Sequence, residues 1–274
     1  MKNIFLATTA LVATAGFAAA DINLSGGANL GLKYNDAAGN VEDLVIHREI
    51  TLTVAMTGET DGGLTFGADM TITAGGVGDV VAYIEGGFGK LSVGDVGSAV
   101  DANMGVSDLG FDGIGTDDLA EAQINSADAG SIMYKGTFGD FTIAASYDMS
   151  QSNAVANGDT FSVAALYNMG DYNFGLGYDD TNDAFSIKAG ATISNISVNA
   201  LMTTSNVGES YGLTAAYTMG ATTITAAYSK DDVANVEGYG IGFGYDLGGG
   251  ATLAGAVGEV GGTTVADLGI TMSF

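Results

Sequence analysis

Apolar and small or polar side chains alternate with period two through most of this chain, the pattern of a strand with one greasy face. From 141 to 149, Phe141, Ile143, Ala145, Tyr147 and Met149 alternate with Thr142, Ala144, Ser146 and Asp148. Tyr172, Phe174, Leu176 and Tyr178 oppose Asn173, Gly175 and Gly177, and the rhythm returns with Tyr211, Leu213, Ala215 and Tyr217, then with Ile224, Ala226 and Tyr228. Between 238 and 245 the second face carries no side chain: Tyr239, Ile241, Phe243 and Tyr245 alternate with Gly238, Gly240, Gly242 and Gly244. A soluble core rarely wastes a whole strand face in that way.

Divided on this rhythm, the chain predicts sixteen strands. They fall near 21 to 34, 44 to 57, 63 to 74, 79 to 87, 88 to 95, 130 to 136, 140 to 149 and 159 to 168. The remaining eight fall near 171 to 179, 183 to 191, 196 to 204, 209 to 218, 221 to 229, 237 to 246, 251 to 259 and 263 to 274. That is roughly 14 residues per strand and turn, which suits membrane strands of about 9 to 11 residues, and fourteen or eighteen strands fit similar arithmetic. No helix-period stretch competes beyond the first 20 residues. Connectors alternate in length. Short turns at Gly87-Phe88-Gly89, Thr137-Phe138-Gly139, Asn168-Met169-Gly170-Asp171 and Thr218-Met219-Gly220-Ala221 each supply a Gly able to take a positive φ. Longer polar connectors at 35 to 43, 150 to 158 and 230 to 236 lie between them, as on the outer side of an outer-membrane barrel.

One stretch breaks the rhythm. Residues 96 to 129 carry seven acids, Asp101, Asp108, Asp112, Asp117, Asp118, Glu121 and Asp128, and no base. Inserts of more than about 15 residues without structure are uncommon in a compact domain unless functional or disordered. We expect this one to fold inward and narrow a pore.

Composition sharpens the choice of solvent. The chain has 44 glycines, 47% hydrophobic residues, no Cys, Pro or Trp, and a net charge of −25 at pH 7. That charge makes nucleic acid an improbable partner. Without Cys there is no disulfide framework, zinc-thiolate site or thiol nucleophile. Hydrophobicity argues against disorder, so the apolar surface needs a cover. A membrane barrel turns it to lipid and keeps polar residues inside. At the start, Lys2, the apolar run from Ile4 to Phe17 and the small residues Ala18, Ala19 and Ala20 form a signal peptide, with cleavage expected before Asp21. The mature domain is then 21 to 274. An N-terminal anchor is the alternative reading, but the run is too short for a comfortable span.

Ala266, Leu268, Ile270, Met272 and Phe274 form one apolar face that stops on Phe274. This ITMSF ending, the signal peptide, and the hairpins GGFGKLSVGD and KGTFGDFTIA flanking the acidic insert resemble a Gram-negative general porin, of the alphaproteobacterial, Rhodobacter type. The resemblance implies an all-β fold, a sixteen-stranded transmembrane antiparallel barrel that assembles as a homotrimer among outer-membrane lipid and lipopolysaccharide. It also implies that 96 to 129 is the third external loop, folded into the lumen, and that Phe274 closes the barrel and acts as an assembly signal. The function implied is passive diffusion of ions and small hydrophilic solutes, with no enzymatic activity and no required cofactor.

Under the alternation, Asp69, Asp148, Asp179, Lys33, His47, Glu49, Lys90, Lys135 and Lys188 face the lumen, with Lys90 and Lys135 beside short turns at the periplasmic mouth. Porins of this family oppose the acidic loop with a basic cluster on the wall. Here the candidates are Lys33, His47, Arg48 and Lys188, and Arg48 belongs by alternation to the outer face unless a bulge turns it in. Loop acids with so few opposing cations predict a cation-selective pore. Carboxylate density at Asp112, Asp117 and Asp118 also suggests calcium, although the spacing is not that of an EF-hand.

Ten of the twelve tyrosines lie between 134 and 245, as interfacial belts require. The outer faces of the first five segments and the last are aliphatic instead, which points to a subunit interface there. Two rivals are weaker. His47 is the only His, and no nucleophile motif accompanies it. A secreted acidic, calcium-binding adhesin is prompted by GGVGD at 75 to 79, but a β-roll needs that motif every nine residues. A channel dedicated to one substrate class differs from a general porin only in loop detail.

Overall fold

In the computed structural model, which describes residues 21–124, 129–149 and 159–274 (backbone only for Ala129 and Gly130), sixteen strands close into one antiparallel ring. They are β1 (Asp21–Asn35), β2 (Leu44–Glu59), β3 (Thr65–Thr73), β4 (Gly76–Gly86), β5 (Gly89–Asp95), β6 (Ala129–Phe138), β7 (Phe141–Asp148) and β8 (Thr160–Met169). The ring continues with β9 (Tyr172–Asp179), β10 (Ala184–Ile193), β11 (Ile196–Thr204), β12 (Glu209–Met219), β13 (Thr222–Asp231), β14 (Val236–Gly248), β15 (Ala251–Val260) and β16 (Thr263–Ser273). Each strand pairs with its neighbours in sequence, and β1 pairs with β16 to close the seam. There Leu30 lies opposite Ile270 and Lys33 opposite Asp267, and Phe274 exchanges backbone hydrogen bonds with Gly26. Closure leaves no strand edge without a partner, the condition for β-structure in lipid.

The alternation read from the sequence becomes two faces. Leu213, Ile241 and Phe243 are 49%, 54% and 40% exposed, whereas Ser146, Ser162, Ser186, Ser210 and Ser229 on the alternate positions are buried. The exposed apolar band is bounded by aromatic residues at both rims. Near the long connectors, hydroxyls of Tyr147, Tyr178, Tyr228 and Tyr239 donate to Asp159, Asp183, Glu237 and Glu259. Near the short turns, Phe141 stacks on its cross-strand neighbour Tyr167 with ring centroids 4.5 Å apart. Each tyrosine ring lies against the apolar band while its hydroxyl reaches the wet side. On β1 and β2 the exposed face is aliphatic: Ile22, Leu24, Leu30, Leu32, Ile46, Ile50, Leu52 and Met56.

The described part of the insert contains helical turns that the sequence pattern does not indicate. It carries two short helices, α1 (Asp101–Met104) and α2 (Thr116–Glu121). Elements of about one turn leave no 3.6-residue period to detect. The proposed leader at 1–20, Asp128 and the connector at 150–158 lie outside the described residues.

Candidate functional site

The insert between β5 and β6 touches β1, β2 and strands from β7 to β16, on the face opposite the exposed apolar band. Its footprint explains the bare glycine faces. A Cβ on Gly240 would stand 2.8 Å from Ile114 Cδ1 and 3.0 Å from Leu109 Cδ1, and one on Gly238 would stand 3.0 Å from Leu119 Cδ1. On β9, a Cβ at Gly177 would meet Val100 at 2.7 Å and Met104 at 2.8 Å. Wall glycines therefore mark where the insert is seated, a signal present in the sequence but unreadable without knowing what lay against it.

Two apolar clusters hold the seat. Ala99, Val100, Met104 and Ile124 pack with Ala144, Ala164 and Leu201 of β7, β8 and β11. Leu109 and Ile114 pack with Ala227, Ala256 and Val265 of β13, β15 and β16. Polar contacts fix the backbone between them. Ala99 N–H donates to Ser146 Oγ at 2.8 Å and Val100 N–H to Ser162 Oγ at 3.0 Å. Ser210 Oγ donates to Ala120 O at 2.8 Å, and Gln123 Nε2 to Asp231 Oδ1 at 3.1 Å. Buried Asp267 accepts from Phe111 N–H at 3.0 Å, Asp112 N–H at 3.1 Å and Ala256 N–H at 2.9 Å. Composition gave no hint that these serines, or Asp267, hold the insert.

The loop acids are not equivalent. Asp112 meets the wall: Lys33 Nζ is 2.6 Å from its Oδ2, and His47 Nε2 is 3.1 Å from its Oδ1. Asp108 is spent within the insert, accepting Gly115 N–H at 2.8 Å, Thr116 N–H at 3.1 Å and the Thr116 hydroxyl at 2.8 Å, which fixes the start of α2. Glu121 accepts Val106 N–H at 2.7 Å, and burial, reinforced by the charges of Asp117, Asp101 and Asp118, pushes its carboxyl up to about 7. Burial and the neighbouring Asp108 and Asp118 raise Asp117 to about 6. Asp101 is raised by burial and by Asp179. Asp118 is exposed.

Of the wall cations, Lys33 and His47 come together at Asp112, and Lys188 on β10 lies under the insert, donating to Gly105 O at 2.6 Å. Arg48 does not join them. The β1–β2 register runs unbroken from Asp21 opposite Thr57 to Tyr34 opposite Leu44, so no bulge turns Arg48, which stays exposed on the outer face between Ile46 and Ile50. Lys90 and Lys135 are cross-strand neighbours beside the short turns. Asp108, Asp112, Asp117 and Asp118 line an open cavity of about 460 Å³ together with Lys33, Tyr34 and Asn35.

A closed antiparallel ring with an apolar exterior, aromatic rims and a charged inner face defines a transmembrane β-barrel. The chain belongs to the Gram-negative porin family, whose sequence model matches residues 7–264. It is 28% identical to the porin of Rhodobacter capsulatus and 27% identical to that of Fuscovulum blasticum, covering in each case 93% of this chain and all of the relative. Solved structures of engineered Rh. blastica porin superpose with a TM-score of 0.81 at 23% identity, over 93% of this chain and all of theirs. Family and fold make this an outer-membrane porin, and porins are channels rather than enzymes.

Proposed function

We propose that the protein is a water-filled diffusion channel for ions and small hydrophilic solutes that favours cations, narrowed by residues 96 to 124 lying across its lumen. That placement is supported by the contacts of this one segment with β1, β2, β7, β8, β10, β12, β13 and β16 of one closed ring. The observation that carries the selectivity is the pairing at Asp112. Lys33 and His47 are both engaged by this one acid, and among the described residues no wall cation other than Lys33 lines the open cavity beside Asp117 and Asp118. Fixed carboxylates along a narrow aqueous path raise the local concentration of cations and exclude anions.

The same reading includes export with removal of residues 1 to 20 and assembly as a homotrimer. The interface uses the aliphatic outer face of β1 to β5 and β16, where belt tyrosines are scarce. Calcium remains part of the proposal. Asp112, Asp117 and Asp118 share one cavity, and the flexible oxygen shell of this ion tolerates irregular carboxylate sets. A secreted adhesin is disfavoured by an exterior on which Leu213 and Ile241, outside the proposed interface, are half exposed and need a lipid cover.

The direct test of selectivity is the reversal potential of the reconstituted channel in a potassium chloride gradient. A potential of the sign set by potassium supports the reading; one set by chloride overturns it.

A further inference from the structure

On the wall opposite the insert, three side chains converge that ion conduction alone does not require. His47 and Glu49 are two residues apart on the same face of β2, and Asp112 comes to them from the insert. One donor atom of each, His47 Nε2, a Glu49 oxygen and an Asp112 oxygen, lies within 4.8 Å of the others. Nε2 is 3.1 Å from Asp112 Oδ1 and 4.0 Å from Glu49 Oε2. Two ligands held at about 2.0–2.2 Å by one ion in a tetrahedral arrangement stand roughly 3.3–3.6 Å apart, a spacing that these two distances bracket.

The imidazole supplies a second, independent indication. Nε2 is shut off from solvent and makes no hydrogen bond, although Asp112 Oδ1 stands 3.1 Å away. A buried ring nitrogen that stands between two carboxylates and makes no hydrogen bond is an arrangement that a cation resolves. The set is also held in place before any ion arrives. Asp267 fixes the backbone leading into Asp112, on both sides of the Phe111 Cα, by accepting from the N–H groups of Phe111 and Asp112; Lys33 orients the carboxylate through Oδ2, and Phe111 packs edge-on against the imidazole at 5.7 Å. Oδ1 remains available.

We propose that His47, Glu49 and Asp112 form a site for a divalent cation that accepts nitrogen, of the zinc, nickel or copper class, inside the channel. Imidazole with two carboxylates suits these metals, whereas calcium and magnesium prefer all-oxygen shells. With three protein ligands the fourth position is left to water, as in open zinc sites. The bound ion neutralises the carboxylates at this wall and occupies the aqueous path, so it reduces current and weakens cation preference. This extends the channel reading, but binding itself does not depend on conduction.

The test is titration calorimetry of purified detergent-solubilised protein carrying no affinity tag, with zinc chloride and, separately, calcium chloride. Zinc is expected to bind once per protomer. His47→Gln is expected to weaken zinc by more than the roughly 10–100-fold that loss of an outer-shell partner costs, while leaving calcium uptake as it was. Glu49→Gln, whose side chain is partly solvated, provides a second variant should His47→Gln fail to assemble, and is expected to weaken zinc in the same direction. Lys33→Ala frees Asp112 Oδ2 and is expected to tighten zinc. Zinc binding no stronger than calcium, or unchanged in the His47 variant, or lost only on removal of carboxylates, overturns the site. In planar bilayers, micromolar zinc blocks the native channel and spares His47→Gln. Because calorimetry reads binding without current, loss of the channel reading would leave the site testable.

Discussion

Asp267 on β16 accepts the backbone N–H of Phe111 at 3.0 Å, joining the insert to the wall across 156 positions of sequence. The same carboxylate also takes Asp112 N–H, so it sets the height at which Asp112 meets Lys33 and His47. Asp267→Ala removes the acceptor from amides that are not fully solvated, and the loss is expected to cost about 1–3 kcal/mol of local stability. Hydrogen exchange at Phe111 and Asp112 is expected to accelerate while strand amides of the barrel keep their protection. Uniform protection in the variant would show that the apolar seat holds the insert unaided.

Glu121 makes the channel sensitive to pH near neutrality. Its carboxyl is raised to about 7 in the folded protein, above the ordinary 4.5, so it stays protonated where an unfolded chain would already be ionised. The folded state binds the proton more tightly. Its contribution is therefore largest below pH 4.5 and is lost progressively as pH rises towards 7. Ionisation also adds a negative charge to the insert, so cation preference is expected to rise between pH 5 and pH 8. Reversal potentials across that range check the trend, and Glu121→Gln is expected to remove the part of the rise near pH 7 while leaving the part that Asp117 contributes near pH 6.

Gly177 leaves room for α1. Its inner face lies against Val100 and Met104, and Gly177→Leu cannot be placed without lifting that part of the insert. Overpacked positions of this kind typically cost about 1–3 kcal/mol. Larger and noisier single-channel conductance is expected as the insert loses its seat. Gly244→Ala, whose Cβ would find Thr252 at an ordinary 3.9 Å, is expected to behave as wild type and serves as the control.

Subunit contact on the aliphatic face gives a further prediction, cleanly tested because the chain has no cysteine of its own. Leu52→Cys or Leu30→Cys is expected to yield cross-linked oligomers with a bifunctional maleimide in membranes, whereas Phe243→Cys on the belted face is expected to stay monomeric on denaturing gels. The reverse pattern would move the interface to the tyrosine-bearing strands.

The barrel was legible because its solvent is legible. With period-two alternation, Tyr211, Leu213, Ile241 and Phe243 belong to one face, and strand boundaries such as 171 to 179 against Tyr172–Asp179 follow from it. The site was legible only in part. Strand phase placed Lys33 and His47 on the face that meets Asp112, and the same phase placed Arg48 outside, where an unbroken register keeps it. The insert was a different problem. Neither spacing nor charge shows that Asp108 is consumed in fixing α2, that Asp112 alone reaches Lys33, or that Gly238 and Gly240 are bare to admit Leu119, Ile114 and Leu109. Those relationships are set by long-range packing, and only the folded chain displays them.

The most direct measurement is single-channel recording of the purified protein in planar bilayers over a series of electrolyte concentrations. Ohmic steps that arrive in threes, grow with bulk conductivity and reverse at a potential favouring cations are the predicted result. A sealed bilayer, or steps whose reversal potential follows the anion, would contradict an aqueous lumen bordered by uncompensated carboxylates.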